Sequence, residues 1–282
     1  MEKTLIRPVF TGAELRRLIV PLVFEQLLAV TVGMADTMMV ATVGEAAVSG
    51  ISLVDQANVL LIQVFAAMAT GGAVVASQYL GRRDREGARD AARQLIYVIL
   101  AMSVVLAVVC VAFNRHLLRF MFGQVEPDVM AAAETYFWIS ALSYPFIAVY
   151  NGGAALFRSM GNSRVSLLAS FIMNAINIGG NALLIYQFNM GVAGAATASL
   201  ASRMTACFMV LVLLRNPHNA ICLEHVLRLR FDGGKIRSIL KVGVPNGIEN
   251  GMFQIGKLLV AGLVASFGTS SIAANAICNN VG

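Results

Sequence analysis

The sequence predicts an all-α polytopic membrane protein, and three observations support that fold class. The chain has 282 residues, of which 58% are hydrophobic and only 13% are charged, whereas about a quarter of the residues in a soluble domain are charged. The apolar residues fall into runs of about 18 or more, the length of a membrane-spanning helix. The basic residues lie almost entirely between those runs. A water-soluble enzyme, a nucleic-acid-binding domain and a disordered chain are therefore poor fits.

Seven apolar runs are predicted to span the membrane, and an eighth begins near Ser270. The seven cover residues 17–41, 50–79, 94–113, 131–157, 165–187, 191–214 and 238–266. The second run is longer than a bilayer core of about 30 Å requires, so its ends are expected to tilt or to project into water. The first run is too long for a cleavable signal peptide, so it is expected to remain as the first helix.

The distribution of Lys and Arg predicts the orientation of these helices. Of the 21 Lys and Arg residues, seventeen precede the first run or follow the second, fourth and sixth runs. Only Arg115 and Arg119 lie on the opposite side, and Arg203 and Lys257 fall inside runs. Because loops rich in Lys and Arg stay in the cytoplasm, we expect a multi-pass protein of the plasma or inner membrane with a cytoplasmic N-terminus. The same asymmetry accounts for the net charge of +6 without a nucleic-acid partner.

The sequence also contains an internal repeat without gaps, at an offset of 224 residues. The matched pairs include Pro21 with Pro245, Glu25 with Glu249 and Gly44 with Gly268. Six predicted helices separate the two copies, so both copies cross the membrane in the same direction. Parallel repeats of this kind build two-lobed transporters, here with twelve helices and about 450 residues in all. The predicted domains are a six-helix lobe with its cytoplasmic connector at 1–232, and at 233–282 helix 7 and a partial helix 8 of an incomplete second lobe.

Several stretches of the chain, in order, carry a resemblance to one known family. They are PLVFEQLLAVTVGMADTMMVATVGEAAVSG, ASQYLGRRDREGA, ALFRSMGNSR, NAINIGGNALLIYQFNMGVAGAA and VPNGIENGMFQIG. Together they resemble the MATE (multidrug and toxic compound extrusion) transporters over nearly the whole chain. The resemblance implies an exporter of small organic cations driven by inward flow of H⁺ or Na⁺, with no other cofactor. It also implies that a full transporter needs the missing C-terminal half.

Three acidic residues inside the predicted helices are the first candidates for an ion or substrate site. An ionised carboxylate at a helix centre costs about 2.5–3.5 kcal/mol, so such residues are functional candidates by default. Eleven residues separate Glu25 from Asp36, which at about 100° per residue places them on one helix face, about 20° apart. Glu249 lies in the stretch PNGIENG, where Pro and Gly weaken the helix in the manner of transporter ion sites. The resemblance places the coupling carboxylate at Asp36 and a functional Glu at position 249.

The alternatives for these acidic residues stay open at the sequence level. Asp36 could be a helix-end residue in the outer interface, and Glu25 could sit shallow near the cytoplasmic end. Lys257 could be an internal counter-ion of Glu249 or could reach the far surface.

Three asparagines on the fifth predicted helix, Asn174, Asn177 and Asn181, recur at i, i+3 and i+7 and form one polar stripe. Polar side chains also serve ordinary helix packing in membranes, which is the alternative interpretation. Many members of the MATE family have an Asp where Asn181 stands. An Asn cannot titrate, but it can ligate a cation or hydrogen-bond a protonated Asp36. By the same resemblance Asn151 is a further cavity position.

Other polar residues receive a structural interpretation. Asp55 is expected to be solvated near the outer end of the second helix, and Arg203 to bind a helix-end carbonyl or a lipid phosphate. The spacing of His218, Cys222 and His225 is taken as coincidence, so no metal site is expected. Phosphate-loop and hydrolase motifs do not occur, so the protein is not expected to be an enzyme.

The leading functional hypothesis is a secondary antiporter for organic cations that works by alternating access to a cavity between two lobes. The second hypothesis, a flippase for lipid-linked oligosaccharides, requires a more cationic cavity than Arg203 and Lys257 would give. The third is a truncated fragment that transports nothing.

Overall fold

A computed structural model describes residues 12–122, 126–223 and 231–265. Within these ranges the chain folds into nine α-helices and one π-helical segment. They are α1 (Gly12–Ala41), α2 (Glu45–Gly81), α3 (Arg85–Ala112), α4 (Asn114–Phe122), α5 (Pro127–Leu142), α6 (Tyr144–Ser159), α7 (Ser163–Asn181), the π segment (Ala182–Gln187), α8 (Gly191–Leu214) and α9 (Gly233–Ala265). The predicted eighth span near Ser270 lies outside the described residues.

Five of these segments are long and apolar enough to cross a membrane. They are Leu18–Ala41, Glu45–Gly81, Arg85–Ala112, Ser163–Gln187 and Gly191–Leu214. Large apolar side chains face outward from them: Val108 on α3 is 61% exposed and Val212 on α8 is 64% exposed. In water this surface would be unfavourable, but in a bilayer it meets lipid. The predicted all-α, multi-pass membrane protein is confirmed.

The fourth predicted span, 131–157, was wrong as a single helix. The structure divides it at Ser143 into α5 and α6. Pro145 lies in the first turn of α6, where its missing N–H is tolerated, and the N–H groups of Phe146 and Ile147 donate to the Ser143 carbonyl. A proline at that point cannot continue the hydrogen-bond ladder of α5, so a new helix begins there.

Helices α6 and α8 approach each other closely through a glycine. A Cβ placed on Gly153 would lie 2.1 Å from Cγ1 of Val210. Only a residue without a side chain permits this separation, as is common where membrane helices pack. On the other side of α6, the rings of Phe65 and Tyr144 lie 6.0 Å apart in a buried contact between α2 and α6.

Helix α9 runs antiparallel along α2, and the contact is closest at the glycine pair Gly71 and Gly243. A Cβ on Gly71 would lie 2.6 Å from the backbone nitrogen of Gly243, and a Cβ on Gly247 would lie 3.6 Å from Cβ of Ala67. One turn further along α9, Gly251 has nothing within 4 Å of its Cβ position. The two helices therefore meet toward the end that carries the basic loops and lose contact in the opposite direction.

The start of α9 is fixed by two sets of polar contacts. Lys235 Nζ lies 3.2 Å from a carboxylate oxygen of Asp90 on α3 and 5.7 Å from the ring centre of Tyr79. Asp232 accepts hydrogen bonds from the backbone N–H groups of Gly234 and Lys235 at 3.0 and 3.2 Å. These bonds, with that of Lys235 contributing most, hold the pKa of the Asp232 carboxyl below its usual value.

Candidate functional site

Helices α1 and α7 are parallel, and polar side chains join them at two levels. At the level nearer the basic loops, called the lower level, Glu25 accepts hydrogen bonds from the Ser166 hydroxyl at 3.0 and 3.2 Å. At the level farther from those loops, called the upper level, Asp36 accepts hydrogen bonds from Asn177 and Asn181. Glu25 and Asp36 are eleven residues apart, and so are Ser166 and Asn177, so the two helices stay in register over three turns. The prediction that Glu25 and Asp36 share one face of their helix is confirmed by this shared partner.

Two amide side chains hold the Asp36 carboxylate. Asn181 Nδ2 donates to Oδ1 at 2.7 Å. In the amide orientation that satisfies all its neighbours, Asn177 donates to both carboxylate oxygens at 2.9 Å and accepts from the Ser199 hydroxyl at 3.0 Å. Both asparagines are buried. The carboxylate is thus oriented by neutral donors, which leaves its negative charge unbalanced within this group.

The side-chain oxygen of Asn181 is the part of the site that points to a bound ion. This atom is buried and has no hydrogen-bond partner, and a buried acceptor without a partner is destabilising by about 1–3 kcal/mol. The same side chain donates through its Nδ2 to Asp36 at 2.7 Å. Oxygen atoms of this kind are the ligands of hard cations.

A cavity opens beside this group, between the C-terminal half of α1, the N-terminal half of α2 and the helices α5, α7 and α8. Its empty space is about 510 Å³, part of it continuous with solvent. Its polar lining consists of Asp36, Thr37, Ser52, Asp55, Tyr136, Asn181 and Ser199, and its apolar lining includes Val40, Val48 and Ile51. Asp55 is exposed, as predicted for a solvated residue near one end of its helix, and its side chain also lines the cavity that Asp36 lines.

Sequence reasoning did not find Ser199, Tyr136 or the cavity role of Asp55. Ser199 lies in the Gly-, Ala- and Ser-rich helix α8, and nothing in that composition separates a cavity hydroxyl from a packing residue. The one available signal for Asp55 was its charge within a long apolar run.

Arg203 lies behind the cavity on α8. Its Nη1 donates to the Ser143 hydroxyl at 2.6 Å, at the junction of α5 and α6. The sequence predicted a helix-end carbonyl or a lipid phosphate as the partner of Arg203, and the structure shows a helix-end hydroxyl instead. Its charge is close enough to act on both Asp36 and Asp55.

Glu25 belongs to a separate ion-paired group. Arg158 Nη1 lies 3.7 Å from Glu25 Oε1 and donates to Ser166 at 3.1 Å. These contacts join α1, α6 and α7 at the end of the bundle that carries the basic loops. Glu25 therefore has a cation within ion-pair distance, whereas the side chains that donate to Asp36 are neutral amides.

The remaining predicted site residues do not join the Asp36 group. Asn174 donates to Ser170 of its own helix at 3.4 Å. Asn151 lies on α6 outside the cavity lining, and its buried Nδ2 has no partner. Glu249 is exposed on α9, and the side chain of Lys257 lies outside the described residues.

The structure describes two of the three residues with metal-like spacing. Cys222 is buried and its thiol donates to the carbonyl of Arg215 at 3.3 Å, His218 contacts Asn216, and His225 lies outside the described residues. In the part of the chain that the structure describes, no cluster of three or more His, Cys, Asp or Glu side chains could hold a metal ion.

A bundle of long apolar helices around a cavity with two carboxylates is the arrangement of a polytopic membrane protein with a polar site between its helices. The model of the MatE family matches residues 21–183, more than half of the chain, and the chain belongs to that family. This confirms the resemblance drawn from the sequence motifs.

Individual relatives agree with this assignment. The chain is 26% identical over 268 residues to the uncharacterized transporter YisQ of Bacillus subtilis, covering 93% of this chain and 58% of the relative. It is 25% identical over 275 residues to the probable multidrug resistance protein NorM of Thermotoga maritima, covering 95% and 58%. The fold matches a MOP superfamily transporter from Pyrococcus furiosus with a TM-score of 0.86 at 20% identity, covering 95% and 59%. The chain thus spans a little under three fifths of the length of the relatives it matches.

Proposed function

We propose that this chain supplies the ion-binding lobe of a secondary antiporter that exports small organic cations in exchange for H⁺ or Na⁺. Residues 1–232 form that lobe, residues 233–282 begin the second lobe, and the N-terminus faces the cytoplasm. Asp36 holds the coupling ion, and Asn177, Asn181 and Ser199 orient it and complete the ligand set. The assignment of multidrug resistance to the Thermotoga relative supports this substrate class.

The observation that carries the proposal is the unbalanced charge of Asp36. Its two hydrogen-bond donors are neutral amides, and it lines a cavity that is open to solvent. A carboxylate in such a place is stabilised by a proton, by a metal cation or by an organic cation. Because all three occupy the same negative charge, they compete, and competition for one site is the basis of antiport.

The polarity of the cavity favours cationic substrates over lipid-linked phosphates. The ionisable groups in its lining are Asp36, Asp55 and Tyr136. Arg203, the intramembrane cation that the structure describes, donates to Ser143 outside that lining. A phosphate-bearing substrate would meet two carboxylates there, which supports the antiporter over the flippase.

The test measures ion competition directly in the purified 282-residue chain in detergent. Tetraphenylphosphonium or Na⁺ is added at mildly acidic pH, and proton release is followed with a pH-indicator dye. We expect each cation to release a proton from the wild-type chain and not from Asp36→Asn. Asp128→Asn, which removes an exposed carboxylate at the start of α5, is the matched control and is expected to behave as wild type.

Proton release from Asp36→Asn equal to that of the wild type would refute the site. A second measurement tests transport itself: ethidium efflux from cells that express the chain together with a second lobe, with and without a proton uncoupler. Uncoupler-sensitive efflux is expected only when both lobes are present.

A further inference from the structure

We propose that Asp55 is a second ion-exchanging carboxylate of the cavity, with Arg203 as a fixed counter-charge that limits the cavity to one exchangeable positive charge. This inference rests on the proposed function and adds to it a residue and a stoichiometry. Many members of the MATE family have an Asp where Asn181 stands, so α7 of this chain lacks a titratable group that those proteins have. In this chain the second carboxylate comes from α2 instead.

The placement of Asp55 is the first step of the argument. Asp55 and Asp36 come from different helices and line the same cavity. Tyr136 on α5 lines the same cavity. The exposed surface of Asp55 therefore faces the space where an ion bound to Asp36 would lie.

A buried polar chain holds Asp55 in this position. Asn58 is 3% exposed, and its Nδ2 donates to Asp55 Oδ1 at 3.3 Å. The fully buried Tyr144 donates its hydroxyl to Asn58 Oδ1 at 2.8 Å. That bond fixes the Asn58 amide with its nitrogen toward Asp55. Two buried side chains therefore orient the exposed carboxylate of Asp55.

The charges around the cavity give the stoichiometry. The groups that act on Asp55 from the neighbouring helices are Asp36 on α1, Tyr136 on α5 and Arg203 on α8, and Tyr144 on α6 reaches it through Asn58. Tyrosine hydroxyls are uncharged near neutral pH, so they do not change the charge of the cavity. Two carboxylates and one guanidinium leave one negative charge among the described groups. One proton or one monovalent cation neutralises it.

The experiment uses charge restoration in the purified 282-residue chain. Binding of radioactive Na⁺ is measured at alkaline pH for wild type, Asp36→Asn, Asp55→Asn, Arg203→Met and the double variant Asp55→Asn/Arg203→Met. Asp55→Glu, which keeps the charge, and Asp128→Asn are the controls. Gel filtration shows which variants are folded.

The two single variants should change Na⁺ binding in opposite directions. Without Asp55 the cavity is neutral before an ion enters, so Na⁺ affinity should fall on the order of tenfold or more. Without Arg203 the cavity carries two negative charges, so affinity should rise by a similar factor. The double variant carries one negative charge again and should return to wild-type affinity. A purely structural role of Asp55 would not produce this reversal.

The outcomes separate this inference from the proposed function. If Asp36→Asn loses Na⁺ binding while Asp55→Asn retains wild-type affinity, the role of Asp55 is overturned and the site at Asp36 stands. If Asp36→Asn binds Na⁺ with wild-type affinity, the proposed ion site at Asp36 is refuted, and the inference about Asp55 is refuted with it. If Asp55→Asn does not fold, Arg203→Met decides: tighter Na⁺ binding supports the charge balance, and unchanged binding overturns it.

Discussion

Replacing Gly71 by Ala should weaken the packing between α2 and α9. The new Cβ would lie 2.6 Å from the nitrogen and 2.7 Å from the Cα of Gly243, and 3.0 Å from the carbonyl oxygen of Ile239. All three are backbone atoms, so no side-chain rotation can relieve the contacts. Because non-bonded heavy atoms prefer about 3.5 Å or more, the helices must separate by roughly 0.9 Å.

The expected loss of stability follows from two opposing contributions. Overpacking of this kind costs roughly 1–3 kcal/mol, and replacing Gly by Ala within a helix returns about 0.5–1 kcal/mol. Gly251→Ala on α9 is the matched control, because it makes the same chemical change where nothing lies within 4 Å. It should stabilise the chain by about 0.5–1 kcal/mol. The two variants should therefore differ by about 1–3 kcal/mol.

The buried thiols of the chain provide the assay. Cys110, Cys207 and Cys222 are free and buried, so a thiol-reactive fluorogenic dye reports thermal unfolding in detergent. Cys278 lies outside the described residues and is replaced by Ser in all samples. The midpoint for Gly71→Ala should lie several degrees below that for Gly251→Ala. Equal midpoints, or a higher one for Gly71→Ala, would show that α9 does not pack on α2 at this glycine.

Three further predictions follow from the polar contacts. A double-mutant cycle with Glu25→Gln and Arg158→Gln should give a coupling free energy of about 1 kcal/mol, since the pair is only partly exposed; a coupling of zero in the same thiol-dye assay would contradict the ion pair. Asn181→Asp should place two carboxylates within one hydrogen-bonding distance, so a second proton should be released on Na⁺ binding; release unchanged from wild type would argue against the site. Asp232 should stabilise the start of α9 above its unfolded-state pKa and lose that effect as the pH falls through its lowered folded-state pKa. Protection factors of the Gly234 and Lys235 amides should then drop at acidic pH in the wild type and be low at every pH in Asp232→Ala.

Apolar periodicity was sufficient to predict most of the spans, and its errors have local causes. Helix α3 begins at Arg85 rather than 94, because its first turns are charged and are started by Asp84, which accepts from Gly87 N–H at 2.8 Å. A search for apolar runs misses a helix start of this kind, because the first turns are polar. The short helix α4 was missed for a similar reason, as two arginines interrupt its apolar residues.

The sequence predicted the two parts of the candidate site, Asp36 on α1 and the asparagines on α7, but not how they contact each other. The charge of Asp36 and the spacing of the asparagines were visible along the chain, but only the packing of α1 on α7 shows that Asn177 and Asn181 meet Asp36 and that Asn174 does not. Helical periodicity shows which residues share one face of a helix, but only the tertiary structure shows which helix packs against that face. The place of Asp55 in the cavity lining was missed for the same reason, since its position along α2 does not show which helices surround it.

The π segment that follows α7 gives this part of the chain a tolerance for changes in length. Its wider turn, closed by the N–H of Phe188 on the carbonyl of Leu183, accommodates one more residue per turn than an α-helix. A residue gained or lost within 182–187 can therefore be absorbed beyond the last asparagine, without rotating the side chains below it. The same change between Ser166 and Asn177 would rotate the upper level by about 100° relative to Asp36 and leave the lower level in place. An insertion or deletion of one residue is therefore expected to be tolerated within 182–187 and to disrupt the Asp36 group when it falls in the eleven-residue interval between Ser166 and Asn177.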